Sequence, residues 1–503
     1  MSDTASRAIL DLPAEGWSTR PDRRLAAPVF TALTAVSVLT LCALSIFIAP
    51  RSSDYFWSVA VGHWIFSHSL FTTGHLSYAV TNHTIATEWL YDALLYKAYA
   101  VFGTAGTSAL MVLLLLASAA STAWYLSKLG VALGRAVVGS LAMAAVLIPL
   151  IPQGRAMSVS FVLLPVLLAL LHKSRTSPKW IFALLPLFTV WVNLHGSVLL
   201  GLACVALELI WSLVPSTSLP GLHSRNPHPG YATLALVSAL AATCLTPWGP
   251  ALALYDLKVT NNAAIGQFVT EWQSPNFQSI LLLAIAAAVV LVLITAGHRR
   301  RAPALEATLT LLLLLGWLHS ARALPYVALL TIVLACAVLP KMSSAMALRT
   351  AAFAAGASCS LLASVAYVLP IHVTPALSIN ASSPKRALAY LKNNHDTGRV
   401  LTTYNWSGYE LFSGYSSFVD GRTDLFVNNG MLKAYENLSA PTANPDPTLT
   451  RYRVSYVIWP VKKALSTHLG ADPSWRIIYS HAGVEIFARN SSTSSWPRGL
   501  ITY

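Results

Sequence analysis

The sequence predicts a polytopic α-helical membrane protein of about eleven spans that ends in a small C-terminal α/β extracytoplasmic domain. Of its 503 residues, 55% are hydrophobic and only 10% are charged, whereas soluble domains carry roughly 25% charged residues. About eleven apolar runs, each near the ~20 residues that cross a bilayer, are separated by polar segments. After residue 375 the apolar runs shorten to the length of β-strands. Composition and run length therefore exclude an ordinary soluble protein.

The first apolar run, residues 28–50, is too long for the core of a signal peptide and precedes no clear cleavage site. We expect it to be a retained membrane anchor. Two later runs are short and contain Pro165 and Pro186, which predicts kinked or shallow spans. The predicted spans are 28–50, 107–127, 136–152, 157–172, 179–194, 196–214, 231–250, 279–297, 303–318, 323–340 and 350–370.

The lysines and arginines between these runs predict the orientation. With the N-terminus inside, fifteen of them fall in the inner segments and five in the outer loops, as the positive-inside rule expects. Three parts follow from this count. They are a cytoplasmic tail of residues 1–27, a transmembrane domain of residues 28–375 with a large first outer loop at 51–105, and an extracytoplasmic domain of residues 376–503.

Net charge and cysteines narrow the class of function. The charge of +14 comes from basic residues that punctuate apolar spans, so it reflects topology and indicates no nucleic-acid partner. The five cysteines all lie in apolar stretches without the spacing of metal ligands. We therefore expect neither a disulfide framework nor a cysteine metal centre.

The first outer loop concentrates acids and tryptophans. Asp54 directly follows the first span, while Glu88 and Asp92 precede the second. The latter two are four residues apart, so on a helix they share one face. Acids beside Trp57 and Trp89 at a membrane surface indicate chemistry on a polar group attached to a lipid. Taken singly, each acid is equally well explained as a solvated loop residue and each tryptophan as part of an interfacial belt.

Further polar side chains fall on the same predicted face of the membrane. Polar groups at a membrane are costly and are kept mainly where they face a cavity or a site. We therefore expect one outward-facing polar cavity. The arginines are equally well explained as interfacial residues, and the VNLHGS segment as a helix end and turn. The members of this set are His63, Arg155, Asn193, His195, Glu271, His319 and Arg322.

The C-terminal part is predicted to be an α/β domain of about 125 residues, large enough for its own core. Strand-length runs occur at RVLTTY, SYVIWP, WRIIYS and VEIFAR, and Ser383 and Pro384 begin a helix predicted at 384–394. The segment TYNWSGYELFSGYSSFVDGRTDLF indicates a ligand loop, although DGR is equally a common tight turn. The candidate ligand residues are Asn405, Trp406, Gly408, Tyr409, Asp420, Gly421, Arg422 and Asp424.

Taken together, these motifs resemble the GT-C class of membrane glycosyltransferases, and more narrowly its uncharacterised bacterial members. The likeness consists of an acid after the first span, a long first loop ending in Glu-Trp-Leu, many further spans and an outer soluble tail. One departure concerns the loop: such relatives commonly carry an acid just before a Ser-Tyr pair, where residues 73–76 here are Thr-Gly-His-Leu. The matching residues are Asp54, Trp57, Gly62, Ile65, Ser77, Tyr78, Glu88, Trp89, Leu90, Asn193, Leu194, His195, Gly196, Pro247, Trp248, Gly249, Glu271, Trp272, Arg322, Asn405, Trp406, Gly408, Tyr409, Asp420, Gly421 and Arg422.

The resemblance implies transfer of a sugar from a polyprenyl-phosphate-linked donor to a glycan, lipid or protein acceptor on the outer face of a bacterial inner membrane. An acid must take the proton of the acceptor hydroxyl from within ~3 Å, and Asp54 is the expected general base, with Glu88 as the second catalytic acid. Arg155, Arg322 and His195 would stabilise the charge of the departing lipid phosphate. Because the loop lacks one usual acid, metal dependence stays open. A divalent ion, Mg²⁺ or Mn²⁺, would be held by Asp54 and Glu88.

Two other classes of function remain open, a membrane transporter and a non-catalytic scaffold for cell-envelope polysaccharide assembly. Transport is disfavoured because the sequence shows no internal repeat and no matching pair of broken spans with acids at the midplane. A scaffold needs neither the arginines nor the acidic loop, but it could retain both by descent.

Overall fold

The computed structural model describes residues 52–80, 84–214, 228–298, 303–339, 384–440 and 444–490. Up to residue 339 the described chain is a bundle of mostly apolar helices, and from residue 384 it forms a mixed sheet with short helices, called the tail below. An extended hydrophobic core runs through the helical part. The predicted spans 28–50 and 350–370 lie outside the described residues.

The described chain begins with a helix in the first outer loop. This helix, α1, spans Ser53–Ser67 and is capped by Ser52, whose hydroxyl accepts the backbone N–H of Tyr55. A 3₁₀ segment follows at Leu70–Leu76. The chain then enters α2, Trp89–Lys128.

Helix α2 is about twice as long as the run 107–127 that predicted it. Its 40 residues bend at Gly103, which has a φ of 60°, a backbone conformation that glycine adopts without strain. The first half carries Tyr91, Asp92 and Lys97, which lower the local hydropathy and hid it from a search for apolar runs. The predicted span is thus the second half of a kinked helix.

Nine apolar helices lie in the described residues, one for each predicted run that falls there. Together with two short helices, the elements after α2 are α3 Leu133–Leu147, α4 Met157–Ser174, α5 Leu184–Leu194, α6 Val198–Leu213, α7 Pro229–Thr243, α8 Pro250–Thr260, α9 Ile265–Phe268, α10 Ile280–His298, α11 Ala304–His319 and α12 Leu324–Val338. By length and composition, α2, α4, α10 and α12 with its preceding 3₁₀ turn are long enough to cross a membrane. The remaining five apolar helices are shorter.

Prolines and glycines explain where the helices depart from the predicted runs. Within the predicted run 231–250, the helix ends at Thr243. A separate helix, α8, begins at Pro250, directly after Gly249 with its φ of 57°. Pro165 lies inside α4, which continues through it. Pro186 lies in the first turn of α5, where its missing N–H removes no helical hydrogen bond.

The tail contains every strand that the sequence predicted, and the predicted helix at 384–394. Its sheet has the strand order β1-β2-β4-β3, with β1 parallel to β2 and the other pairs antiparallel. Alternate residues of β2 and β4 supply two separate hydrophobic cores, so both sheet faces are covered. The elements are α13 Lys385–Asn393, β1 Arg399–Leu401, α14 Ser407–Phe412, α15 Asp424–Val427, α16 Met431–Ser439, α17 Asp446–Arg451, β2 Val454–Pro460, α18 Ala464–Ala471, β3 Trp475–His481 and β4 Val484–Arg489.

The tail packs directly onto the first outer loop. The backbone of Ser77 pairs with that of Ser417, and the Tyr78 hydroxyl donates to the carbonyl oxygen of Val400 at 2.8 Å. Nearby, the rings of Phe56 and Tyr409 meet edge to face with centroids 4.9 Å apart. Loop and tail therefore form one continuous wall above the helical part.

Candidate active site

Asp54 lies in the first turn of α1. Its Oδ1 accepts a hydrogen bond from Nε1 of Trp57 at 3.1 Å, and its Oδ2 forms an ion pair with Nε of Arg155. The two side chains of the ion pair are 25% and 24% exposed. The carboxylate predicted as the general base is thus held by two donors and remains accessible from solvent.

Arg155 connects Asp54 to a second carboxylate. It follows Gly154, whose φ of 58° turns the chain sharply before α4. Nη1 of Arg155 donates to both carboxylate oxygens of Glu271, each at 2.7 Å. Burial disfavours the charged guanidinium, but the carboxylates of Asp54 and Glu271 outweigh burial and raise the pKa of Arg155. One arginine therefore bridges two acids from distant parts of the sequence.

Glu88 and His195 form a second pair. Glu88 directly precedes α2, and its Oε1 lies 3.3 Å from Nε2 of His195, the residue that ends α5. Nδ1 of His195 accepts the backbone N–H of Ser197 at 3.0 Å, so the neutral ring carries its proton on Nε2 and donates it to Glu88. Burial, and then the charge of Arg322, lower the pKa of His195 to about 3. The ring is therefore neutral at pH 7.

The pKa of Glu88 is raised to about 7, first by burial. Arg322 and Arg155 act in the opposite direction, whereas the negative charges of Asp54 and Asp424 raise the pKa further. A carboxyl group with a pKa near 7 gains and loses a proton readily at neutral pH, as acid–base catalysis requires. Shifts of this size are typical of functional sites.

Arg322 supplies a second cation. It lies in the 3₁₀ turn Ala321–Ala323 after α11, with its guanidinium carbon 5.3 Å from the ring centroid of Trp272. Its charge acts on both Glu88 and His195. Within the described part of the chain its N–H groups make no hydrogen bond or ion pair, so they are available to an anionic ligand.

Trp89 and Asn193 hold the loop that carries His195. Nε1 of Trp89 donates to Oδ1 of Asn193 at 2.8 Å. The amide of Asn193 in turn donates to the carbonyl oxygens of Thr189 and Leu245, at 2.7 and 3.0 Å. With these three bonds Asn193 fixes the end of α5 against the neighbouring chain, so both residues position the loop, and their predicted contact with substrate stays a prediction.

Two further acids belong to the site: Asp256, which the sequence did not single out, and Asp424, which the sequence placed in the candidate ligand loop. Asp256 of α8 is only 6% exposed, and burial, followed by the charges of Glu88 and Asp424, raises its pKa to about 8. Oδ2 of Asp424 accepts a hydrogen bond from the hydroxyl group of Tyr255 at 2.6 Å. The sequence signal for Asp256 is an acid within the otherwise apolar ALALYDL, next to the Pro-Trp-Gly motif. We call Asp54, Glu88, Asp256, Glu271 and Asp424 the acid cluster.

Asp420 and Arg422 bind each other and fold the DGR loop. Nη2 of Arg422 lies 2.7 Å from Oδ2 of Asp420, and the two side chains are 9% and 0% exposed. Nη1 of Arg422 also donates to the carbonyl oxygen of Thr73 at 2.7 Å. A Cβ on the intervening Gly421 would lie 2.5 Å from Nε1 of Trp57. The loop therefore closes against α1, and substrate contacts of its charged residues stay a prediction.

The structure places His63 well away from Asp54 and leaves His319 exposed. His63 lies nine residues after Asp54 on α1, about 13 Å along the helix axis, and its exposed ring is 5.1 Å from that of Tyr96. His319 is exposed at the end of α11. Both were predicted as site residues because they lie on the same predicted side of the membrane as the acids. A shared side does not determine the distance between two residues.

Three other predicted residues contribute to packing. Asp92 is 2% exposed between α1 and α2, hydrogen-bonded to Ser58. Trp406 packs on the tail core and Tyr409 on Phe56 of α1. The predicted contacts of these three residues with substrate stay a prediction.

A cavity of about 740 Å³ lies between the first outer loop and the tail. Its lining includes Tyr78, Asp396, Arg399 and Tyr415 and none of the acid cluster. The cavity is thus a recess beside the DGR loop, and it is distinct from the site around Asp54.

The arrangement of helices, loop and tail has the fold of the GT-C class of polytopic membrane glycosyltransferases. Three solved structures show the likeness. ArnT from Cupriavidus metallidurans bound to undecaprenyl phosphate has a TM-score of 0.58 and 14% identity, over 95% of this chain and 100% of that chain.

The other two structures share the fold at similar distance. The oligosaccharyltransferase AglB from Archaeoglobus fulgidus, in complex with an inhibitory peptide and a dolichol-phosphate, has a TM-score of 0.55 and 11% identity, over 94% of this chain and 75% of that chain. The arabinofuranosyltransferase AftD from Mycobacteria has a TM-score of 0.51 and 16% identity, over 93% and 41%. No protein-family model matches the sequence, and no curated protein matches it significantly.

Proposed function

We propose that this protein transfers a sugar from a polyprenyl-phosphate-linked donor to an acceptor at the outer membrane surface. The observation that carries the proposal is the acid cluster, assembled with Arg155 and Arg322 at the tail-facing end of a GT-C fold. The lipid phosphates in the ArnT and AglB structures support a donor of this class. A scaffold would have no need to hold five acids and two arginines together.

The two arginines are the proposed phosphate ligands. Guanidinium groups bind phosphate through paired, charge-assisted hydrogen bonds. Arg322 has N–H groups free for such bonds, whereas Arg155 is shared between Asp54 and Glu271. The phosphodiester of the donor, with its negative charge, would compete for Arg155 and release Asp54 from its ion pair. Donor binding and activation of the base are thereby linked.

Asp54 is the proposed general base, as the sequence predicted. It takes the proton of the acceptor hydroxyl while that oxygen forms the new glycosidic bond and the bond to the lipid phosphate breaks. Trp57 keeps the carboxylate oriented through its hydrogen bond to Oδ1. Glu88 is the second candidate for a proton-transfer role, because its pKa is about 7.

The sequence left open whether Asp54 and Glu88 bind Mg²⁺ or Mn²⁺, and this binding stays a prediction. A structure of the archaeal oligosaccharyltransferase holds zinc and sulfate. Among the described residues of this chain, however, no three ligand atoms of the acid cluster lie within 4.8 Å of one another. Oδ2 of Asp54 is also committed to Arg155. The proposed mechanism therefore does not depend on a metal ion.

The proposal is tested with purified protein in lipid nanodiscs and synthetic polyprenyl-phosphate sugars. Released polyprenyl phosphate reports turnover with any acceptor, including water. We expect release by the wild type and a loss of ~10²–10⁴ in rate for Asp54→Asn, the usual share of acid–base catalysis. Donor affinity should hold in Asp54→Asn, because its loss of charge removes no phosphate ligand.

Two further variants sharpen this assay. Arg322→Ala should weaken donor binding about tenfold, since one charge-assisted contact is lost. Glu436→Gln removes an exposed tail carboxylate and should leave both quantities unchanged. Donor binding without release would favour the scaffold, whereas equal release by wild type and Asp54→Asn would exclude Asp54 as the general base. Movement of intact donor across a sealed bilayer would favour the transporter.

A further inference from the structure

A second group of metal-ligand side chains lies in the tail, apart from the acid cluster. Asp446, His468 and Asp472 bring one ligand atom each to within 4.8 Å of one another. They come from three places: the start of α17, the last turn of α18 and the residue that ends α18. A bound ion would therefore connect segments that are far apart in sequence.

The polar atoms of this group lack the partners they need if no cation is bound. Oδ1 of Asp446 and Nε2 of His468 are buried and make no hydrogen bond within the described residues. The closest approach of that imidazole nitrogen to Oδ2 of Asp446 is 3.9 Å, too long for a hydrogen bond. One oxygen of the Asp446 carboxylate and one of the Asp472 carboxylate also lie within 4.8 Å of each other, although like charges repel.

The backbone fixes the ligands in place. Oδ1 of Asp472 accepts the backbone N–H of Ser474 at 2.8 Å, and the N–H of Asp446 donates to Oδ1 of Asn444 at 2.9 Å. The first bond sets the direction of the Asp472 carboxylate, and the second holds the backbone of Asp446 at the start of α17. The side chains of His468 and Asp446 are 34% and 33% exposed, which leaves an entry path and room for a water ligand.

We propose that Asp446, His468 and Asp472 bind one divalent transition-metal ion, with Zn²⁺ as the preferred occupant. An imidazole nitrogen and two carboxylate oxygens are ligands that Zn²⁺ accepts, and one water completes four-coordination. Mg²⁺ and Ca²⁺ favour sets made of oxygen alone. The ion neutralises the facing carboxylates and clamps α17 and α18 to the start of β3. It is a structural site of the tail, independent of sugar transfer.

The test uses the full-length protein in nanodiscs, purified with a tag free of histidine, stripped with a chelator and returned to ZnCl₂. We expect one tightly bound zinc per chain and a rise of about 2–4 °C in the unfolding temperature of the tail at zinc well above its Kd. Asp446→Asn, His468→Gln and Asp472→Asn should each abolish both effects. Because these side chains are nearly isosteric, the zinc-free unfolding temperatures should stay close to that of the wild type.

Two controls separate this site from other zinc ligands. Glu436→Gln removes a tail carboxylate outside the group, and Glu88→Gln removes one from the acid cluster. Both should retain the zinc and the thermal shift. Equal zinc content in the wild type and in the variant lacking all three ligands would overturn the proposal, as would loss of zinc in Glu88→Gln alone. An equal shift with MgCl₂ would overturn the choice of a transition metal.

Discussion

At the scale of single residues, Glu88 is held in an unusual protonation state. Burial raises its pKa to about 7 from a usual value of 4.5, while its neighbour His195 has a pKa lowered to about 3. The pair is therefore not an ordinary ion pair at neutral pH, since the imidazole is neutral and donates Nε2–H to the carboxyl group. The protein tolerates a costly buried acid here, as functional sites commonly do.

Glu88→Gln is expected to change how stability depends on pH. Because the folded pKa is raised, the folded state binds more protons than the unfolded state between pH 4.5 and 7, so wild-type stability falls as pH rises through that window. Glutamine does not titrate, so the variant does not lose stability in this way as the pH rises. The unfolding temperature of Glu88→Gln should exceed that of the wild type by about 2–4 °C at pH 7.5, with little difference at pH 4, as measured by intrinsic fluorescence.

The control for this prediction is Glu436→Gln, whose exposed carboxylate should show no comparable pH dependence. A Glu88→Gln protein less stable than the wild type at pH 7.5 would contradict a raised pKa. If the same variant also loses turnover, a gain in stability paired with a loss of activity would identify Glu88 as a functional acid.

The sequence predicted which residues share a membrane face, but not which of them meet. Asp54, Arg155 and Glu271 do converge, because each stands at the end of an apolar segment on that face. His63 does not, because the rise of α1 carries it about 13 Å from Asp54. Asp256 went unnoticed because it lies after the predicted run 231–250, in the separate short helix α8, which no apolar run predicted. Distances within one face depend on tertiary packing, which no local pattern encodes.

Among the elements, the contact between α1 and α14 is the closest. Gly408 of α14 lies so near α1 that a Cβ there would collide with the backbone oxygen of Ser53. Its N–H also donates to the hydroxyl of Ser53 at 3.1 Å. Since Asp54 is the next residue along α1, this contact places the tail directly beside the proposed base.

Gly408→Ala is therefore expected to loosen the tail from the first outer loop. The added methyl meets backbone, which cannot move aside cheaply, and such overpacking costs about 1–3 kcal/mol. We expect a lower unfolding temperature, faster protease cleavage in the tail and reduced turnover. Gly316→Ala in α11 is the matched control, because a Cβ there meets nothing within 4 Å. Equal protease resistance of the two variants would argue against close docking.

The elements themselves were largely predictable. The four strands combine strand-length apolar runs with flanking turns, and alternate residues of β2 and β4 fill opposite cores. The first half of α2 was not predictable from hydropathy, because it packs against α1 through polar residues such as Asp92. Its helical state depends on a neighbour rather than on its own apolar period.

In the whole molecule, α4 connects two buried or half-buried arginines at its opposite ends. Arg155 stands before it in the acid cluster. Arg175 directly follows it and pairs through both nitrogens with Glu208 of α6, each bond 2.6 Å long. The 18 residues of α4 span about 27 Å, close to the ~30 Å hydrocarbon core of a bilayer. The two ion pairs therefore lie near opposite membrane surfaces.

Because of this geometry, one experiment tests the predicted orientation of the whole molecule. Because the tail packs on the first outer loop, the acid cluster and the tail must share one side, with Arg175 on the other. Placing the excess of lysine and arginine in the cytoplasm puts the acid cluster outside. A phosphatase reporter that works only outside should be active when fused after residue 490 and inactive when fused after residue 176. A fluorescent reporter that matures only inside should give the reverse pattern. Activity of the phosphatase at both positions would mean that the helices between them cross the membrane differently, and a fully inverted pattern would move sugar transfer to the cytoplasmic face.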